Sequence, residues 1–371
     1  TIKSASIIMF LMANVLFGIK YLSRFSFQVA IVVSMIYMLA VGITYASYRK
    51  YIYSFQKKYI WILLGIFIII SVVALSIISQ ETLRVDRWRV VDSFWHSVGE
   101  GLYPYAQKNS DGNYPGPMPF YFILCYPFHF IHEMGFASLF SAVLFLLFSY
   151  HKREEKDSFV FVSLLLLSSC AIFWEIITRS TIFFNAVLFF FFIMSLKNFP
   201  QKFDLKFYLS AFVGGLLFST RAVFVIPMIV WAMYALHIEK VRFITLMKWG
   251  IIFFTTFAIT FLPFLILWND EFFIMNPFII QSSFLLPFGY ILVFIFLSFV
   301  FGFYCRKFQD VVFSSAILLF GIAMVQLIYQ IFQSGMQAYW NTGADISYFL
   351  FSFPFLLYTI GFSNKKYAIL N

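Results

Sequence analysis

Long apolar runs alternate with short polar gaps along the whole chain, and the runs have the length that a membrane demands. They cover residues 5–22, 26–48, 59–79, 133–150, 158–177, 181–196, 207–218, 223–236, 249–268, 290–305, 311–332 and 346–362. A helix rises about 1.5 Å per residue, so about 20 apolar residues cross the hydrocarbon core. The pattern predicts an all-α, polytopic transmembrane helical bundle with about 12 membrane segments. The first run is followed at once by a second, which suits a membrane hairpin and not a cleaved signal peptide. The run Phe189–Phe192 reads as lipid-facing filler.

The gaps alternate in charge. Arg49/Lys50/Lys57/Lys58, Lys152/Arg153/Lys156, Lys197/Lys202/Lys206, Lys240/Arg242/Lys248, Arg306/Lys307 and Lys365/Lys366 fall on one side. The positive-inside rule makes that side cytoplasmic, together with both termini. The outer side receives residues 84–134, 178–180, 219–222, 269–289 and 333–345, and Arg24, in the first outer turn, is a small exception. Composition agrees: 62% hydrophobic residues and a mean hydropathy of +0.88 exclude an ordinary soluble domain. The net charge of +10 sits mostly in the orienting gaps and calls for no nucleic acid. Cys125, Cys170 and Cys305 are far apart in apolar sequence and read as small buried hydrophobes, with no disulfide framework or zinc spacing.

Two places depart from this plan. Runs 207–218 and 223–236 are short and meet at Ser219-Thr220-Arg221, with Gly214-Gly215 before and Pro227 after. That predicts broken or re-entrant helices lining a protein cavity. Segment 84–134 gathers Asp86, Asp92, Glu100, Asp111, His96, His129, His132 and Glu133 in a chain only 11% charged. Acids and bases concentrated beside a membrane surface point to a reaction or a ligand. Gly99 and Gly101 stop one helix there, and Pro115-Gly116-Pro117 opens another that contains Pro127. Two short helices along the membrane surface, with an aromatic turn between them, are expected.

Asp86, Trp88-Arg89-Val90-Val91-Asp92, Gly101-Leu102-Tyr103-Pro104-Tyr105 and Tyr114-Pro115 occur in an order that resembles the first outer loop of GT-C membrane glycosyltransferases. The Trp-x-Val-x-Asp stretch looks like the lipid-linked mannosyltransferases of that superfamily. Gly214–Arg221 is similar to the broken helix after which many members place a Lys or Arg, and Tyr348 with Pro354 resembles their Tyr-x-x-x-x-x-Pro ending. The resemblance covers roughly residues 59–362. It departs from the family where many relatives have Tyr-Pro-Pro and this chain has Tyr-Pro-Gly-Pro. It implies a division into two additional N-terminal transmembrane helices, 1–58, and a GT-C-like catalytic core, 59–371, with an outer loop at 80–132. It also implies an inverting hexosyltransferase that moves mannose or another hexose from a polyprenyl-phosphate donor to a cell-envelope glycan or glycolipid acceptor. The expected location is the outer face of a bacterial plasma membrane.

The chemistry supplies reasons of its own. An acceptor hydroxyl attacking an anomeric carbon must lose a proton, so a carboxylate within hydrogen-bond reach is wanted. Asp86 is the expected base, with helix N-capping as its ordinary role. Asp92 is the second candidate. Arg89, Asp92 and His96 share one helical face, either as an ion-paired surface stripe or with Asp92 gripping acceptor hydroxyls or positioning Arg89. The leaving lipid phosphate gains charge, which fixed cations stabilise. Arg221 is the first candidate there, with pairing to Glu175 or snorkelling as its alternative. Arg179 is the second, although it stands four residues after Glu175, a favourable pairing distance on a helix.

Trp88, Tyr103, Tyr105 and Tyr114, with Trp95, are expected either to stack on sugar rings or to form an interfacial belt. Asp270, Glu271, Asn276 and Gln281, and then Trp340, Asn341 and Asp345, lie on later outer loops able to cap the site or grip the acceptor. His129, His132 and Glu133 lack the spacing of a zinc helix, and no Gly-rich phosphate loop occurs, so neither metal nor cofactor is expected. Two other classes compete. An O-antigen-type polymerase or ligase would rely on arginines in a large late loop. A lipid or solute transporter would show paired broken helices in two matching halves, of which one pair is legible.

Overall fold

Each of the twelve apolar runs folds as helix, and there is no strand among the described residues. The computed structural model describes residues 2–51, 57–82, 86–151, 156–284, 286–340 and 345–361. Arg84, Asn341 and the basic pairs Lys152/Arg153 and Lys365/Lys366 lie outside them. α1 (Ile2–Leu22), α2 (Phe27–Tyr51) and α3 (Lys57–Ile77) lead to the first polar segment, which holds α4 (Arg87–Gly99) and α5 (Pro119–Phe130). α6 (Gly135–His151), α7 (Lys156–Leu167), α8 (Cys170–Ile177), α9 (Ile182–Ser195), α10 (Leu205–Phe218), α11 (Val225–His237) and α12 (Phe243–Ile259) follow. Three short helices come next: α13 (Leu262–Leu267), α14 (Asn269–Ile274) and α15 (Pro277–Phe284). The chain closes with α16 (Phe288–Tyr304), α17 (Phe308–Ser334), α18 (Gln337–Trp340) and α19 (Phe353–Gly361).

Four described helices, α1, α2, α3 and α17, are long and apolar enough to cross a membrane alone. The number rises to six if each of two bent pairs is one span: α5 with α6, bent by 103°, and α7 with α8, bent by 50°. Two of the remaining runs are interrupted. The run 249–268 stops as α12 at Ile259 and restarts as α13 with Pro263 in its first turn, a position where the missing N–H costs nothing. The run 346–362 begins as a 3₁₀ turn, Ile346–Phe351, before α19.

Phe189–Phe192 is not lipid-facing. Phe189 and Phe190 are fully buried and Phe192 is nearly so, because α9 runs through the centre and packs against α6, α8, α10, α11 and α19. A helix enclosed on every side is apolar all round, just as a lipid-facing one is. The Gly214-Gly215 pair is not an unwound segment either, since α10 stays helical to Phe218. A Cβ on Gly215 would lie 2.3 Å from the Phe253 carbonyl oxygen of α12, and one on Gly214 would lie 2.4 Å from the Phe192 ring. Gly215 lets backbones touch, as small residues do between membrane helices, and Gly214 makes room for the Phe192 ring. Gly215→Ala should therefore destabilise the protein by about 1–3 kcal/mol, the usual overpacking cost. An unchanged thermal midpoint in detergent would show that the contact gives way freely.

A true interruption lies between α7 and α8, and α1 fills it. Ser169 caps α8 and also donates to the Asn14 side-chain oxygen at 2.8 Å, while the Ala171 N–H reaches the same oxygen at 3.2 Å. The Cys170 thiol donates to the Asn14 carbonyl at 3.0 Å. Phe10 and Phe17 of α1 are buried, and Ser6 meets Thr359 of α19 at 2.7 Å. So α1 shares the core of the later helices, whereas α2 leaves Ile36, Leu39 and Ile43 exposed at its periphery. Cys125 and Cys305 are buried, Cys170 is partly so, and all three thiols are free.

Candidate functional site

α4 and α5 pack on a small apolar cluster of their own, with Val91, Phe94, Tyr105, Tyr121 and Phe122 joined by Phe264 and Phe272. Phe94 and Phe122 stack face to face with centroids 3.5 Å apart. This unit fixes where the start of α4 points. Asp86 occupies the N-cap position, but its backbone is already helical (φ −81°, ψ −6°) and its side chain caps nothing. Its carboxylate instead accepts from Asn113 Nδ2 at 2.8 Å. Asn113 is held in turn by a tight turn in which Asn109 Oδ1 accepts the Asp111 and Asn113 N–H groups, both at 3.0 Å. The N-capping alternative for Asp86 is thereby removed, and the carboxylate remains partly exposed.

Arg87, the next residue, turns inward. It donates to Ser180 Oγ at 2.8 Å, pairs with Asp345, and lies 5.9 Å from the Tyr348 ring centroid. Its side chain is 13% exposed, against 34% for Asp345, so the pair sits at the rim and not in the interior. Desolvation alone would push the Asp345 carboxyl up. Arg87 and the Ser347 N–H overcome that and hold it below the usual carboxylate range. Sequence reasoning passed over Arg87. A weak signal existed: a cation in the first turn of a helix opposes the macrodipole, which favours an anion from elsewhere beside it.

Arg221 follows α10 on the turn that the sequence marks out. Its guanidinium lies 5.0 Å from the Tyr121 ring centroid, and Tyr121 shares a 2.7 Å hydrogen bond with Thr181. The Arg221 Nε is buried without a hydrogen-bond partner, and no carboxylate among the described residues pairs with the side chain. The Tyr114-Pro115-Gly116-Pro117 stretch wedges this turn in place. Met118 N donates to the Thr220 carbonyl at 3.2 Å, while Gln281 accepts from Ala222 N at 3.3 Å and donates to the Gly116 carbonyl at 2.8 Å. Tyr348 stands within electrostatic reach of Asp86, Arg87, Arg221 and Asp345 together. Of these groups, Arg87 lies directly against the Tyr348 ring.

The other predicted residues lie elsewhere. Arg179 is a correction. It is 3% exposed and saturated by Glu133 at 3.2 Å, the Leu75 carbonyl at 2.9 Å and the Ile177 carbonyl at 2.9 Å. It does not pair with Glu175 because α8 has ended and Arg179 is left-handed (φ 53°), so the four-residue spacing is no longer helical. Glu175 instead accepts from the Ile182 and Phe183 N–H groups at the start of α9. Arg179→Met should leave Glu133 unpaired and cost about 3–5 kcal/mol, as broken buried pairs do. A thermal midpoint equal to wild type would contradict this.

The Arg89–Asp92–His96 face does not act as one unit. Arg89 bridges Asp111 at 2.6 Å and Glu81 at 3.0 Å, Asp92 faces His129 at 3.8 Å, and His96 pairs with Glu100 at 3.2 Å on the exposed side. Asp92 does not position Arg89, since two nearer carboxylates already hold it. Tyr103 and Tyr105 are not stacking platforms: both are buried, with hydroxyls donating to the Met275 carbonyl at 2.6 Å and the Pro117 carbonyl at 3.1 Å. Tyr114 lies under Lys108 at 5.0 Å, and Trp88 lies 5.3 Å from the Arg89 guanidinium with its Nε1 buried and unpartnered. Trp340 packs edge-on against Phe27 of α2. No family model, curated protein or solved structure matches this chain.

Proposed function

We propose that the chain is a multi-pass membrane glycosyltransferase of the GT-C type, which moves a hexose from a polyprenyl-phosphate donor to a glycan or lipid-linked acceptor. In this reading the basic gaps face the cytoplasm and α4 and α5 lie along the outer face of the membrane. One observation carries it: a partly exposed carboxylate with no capping duty, Asp86, and a cation with no acid partner among the described residues, Arg221, both within electrostatic reach of Tyr348. An acid and a base that are not spent on each other suit a reaction in which a proton leaves one partner and negative charge grows on the other.

The step balances simply. The acceptor hydroxyl oxygen forms a bond to the anomeric carbon as its proton passes to Asp86. The bond from that carbon to the phosphate oxygen breaks, and polyprenyl phosphate leaves with the electron pair toward Arg221. Attack opposite to the leaving group inverts the anomeric configuration. Two bent helix pairs favour a second reading, a lipid or solute transporter, because interrupted helices also frame transport sites.

The test is reconstitution in vesicles with radiolabelled polyprenyl-phosphate mannose, glucose and arabinose. Label appearing in acceptor glycan from one of these donors supports the transferase. Label that crosses the vesicle membrane unchanged, with no transfer from any donor, supports the transporter.

A further inference from the structure

The carboxylate at the start of α4 is gripped at one oxygen only. Asn113 Nδ2 donates to Asp86 Oδ2 at 2.8 Å, and no hydrogen bond among the described residues reaches Oδ1. An ionised carboxylate only accepts, so the NH₂ end of the Asn113 amide has to face it. Asn113 is itself built into a turn, residues 109–113. Asn109 N donates to the Asn113 carbonyl at 2.9 Å, and Asn109 Oδ1 accepts the Asp111 and Asn113 N–H groups at 3.0 Å each. Gly112 N donates back to the Asn109 carbonyl at 2.9 Å, from the left-handed backbone (φ 82°) that glycine adopts without strain. Asn109 is 6% exposed, which anchors the turn in the protein.

The turn is fastened to the helix that Asp86 opens. Arg89, on the first turn of α4, bridges Asp111 at 2.6 Å and Glu81 at 3.0 Å. Glu81 precedes Asp86 in the chain and Arg89 follows it. One guanidinium thus ties together the chain before Asp86, the helix after it and the turn that carries Asn113. The contacts close a circuit from Asp86 to Asn113, through the turn to Asp111, across to Arg89 and back along α4. Ion pairs as exposed as these contribute little stability, so what the circuit supplies is direction. We propose that Asn113 is a positioning residue: it holds Asp86 by Oδ2 and leaves Oδ1 to receive the acceptor proton. This rests on the transferase reading above. Arg89, expected to touch substrate, is instead the fastening of the circuit.

The experiment is a double-mutant cycle on the purified full chain in octyl glucoside, whose sugar hydroxyls, with water, serve as the acceptor probe. Radiolabelled polyprenyl-phosphate mannose, glucose and arabinose are the donors, and the rate of sugar leaving the phosphate is read. Asn113→Ala is expected to lower kcat by about 10²-fold with the donor KM unchanged, the cost of a reacting group displaced by about 1 Å. In an Asp86→Asn background the same substitution should have no further effect, because residues that act as a unit are not additive. A merely structural role would give the same loss in both backgrounds. Asn113→Leu, close to asparagine in shape, replaces Asn113→Ala if the latter does not fold. A wild-type kcat in the Asn113 variant, or an equal loss beside Asp86→Asn, overturns the role of Asn113 and leaves the transferase reading intact. Asp86→Asn as fast as wild type overturns Asp86 as the base, and this inference with it. Wild type that releases sugar from none of the donors overturns the transferase reading itself.

Discussion

If the chain is the glycosyltransferase proposed, Asp86→Asn is expected to lower glycosyl transfer by about 10²–10⁴-fold, the range that a positioned general base contributes. The loss falls on kcat, measured at saturating donor and acceptor, because Asn keeps the side chain's shape but cannot take the acceptor proton. Stability should hardly move. The Asp86 side chain caps no helix end and forms no salt bridge among the described residues, and its one hydrogen bond, from Asn113, can be made to an amide oxygen as well. Transfer that persists undiminished would move the base to Asp92, whose carboxylate is exposed beside His129.

Arg221→Ala is the second large effect. Removal of a fixed donor aimed at developing charge costs about 10²–10³-fold in rate where such donors have been removed. Here kcat/KM for the phosphate-linked donor should fall by that much, with the acceptor KM little changed. Arg221 holds no carboxylate in place, and it meets Tyr121 only through a ring face. The thermal midpoint should therefore drop by no more than the loss of one cation–π contact allows, about 0.5–2 kcal/mol. Arg221→Lys should recover part of the rate, since it restores the charge but not the planar fork. A fall in kcat/KM no larger than that of a distant surface substitution would show that the leaving phosphate is held elsewhere.

The helices were legible because apolar runs separated by Gly, Pro and charge leave few alternatives. Their interruptions were not, since the Ser168–Ser169 break depends on Asn14 reaching across from α1. Asp86 and Arg221 stand out in sequence as chemistry amid grease, and both act electrostatically on Tyr348 in the fold. Arg87 escaped notice because its partner, Asp345, comes from the far end of the chain. Arg179 misled because one left-handed residue ends the helical spacing on which the expected pairing relied. The tyrosines at 103 and 105 misled for a related reason: an aromatic near a membrane surface looks the same in sequence whether it faces sugar or fills a second core. Which face a fully apolar helix shows, as with Phe189–Phe192, is decided by neighbours and not by its own residues.

A cryo-EM structure of the protein with a polyprenyl-phosphate sugar bound measures the central relationship directly. The account predicts phosphate density against the Arg221 guanidinium near Tyr121, with the sugar's anomeric carbon lying between it and the Asp86 carboxylate. Phosphate bound away from that turn, for example along the outer face of α12 near Met247 and Phe254, with Asp86 facing only solvent, would contradict it.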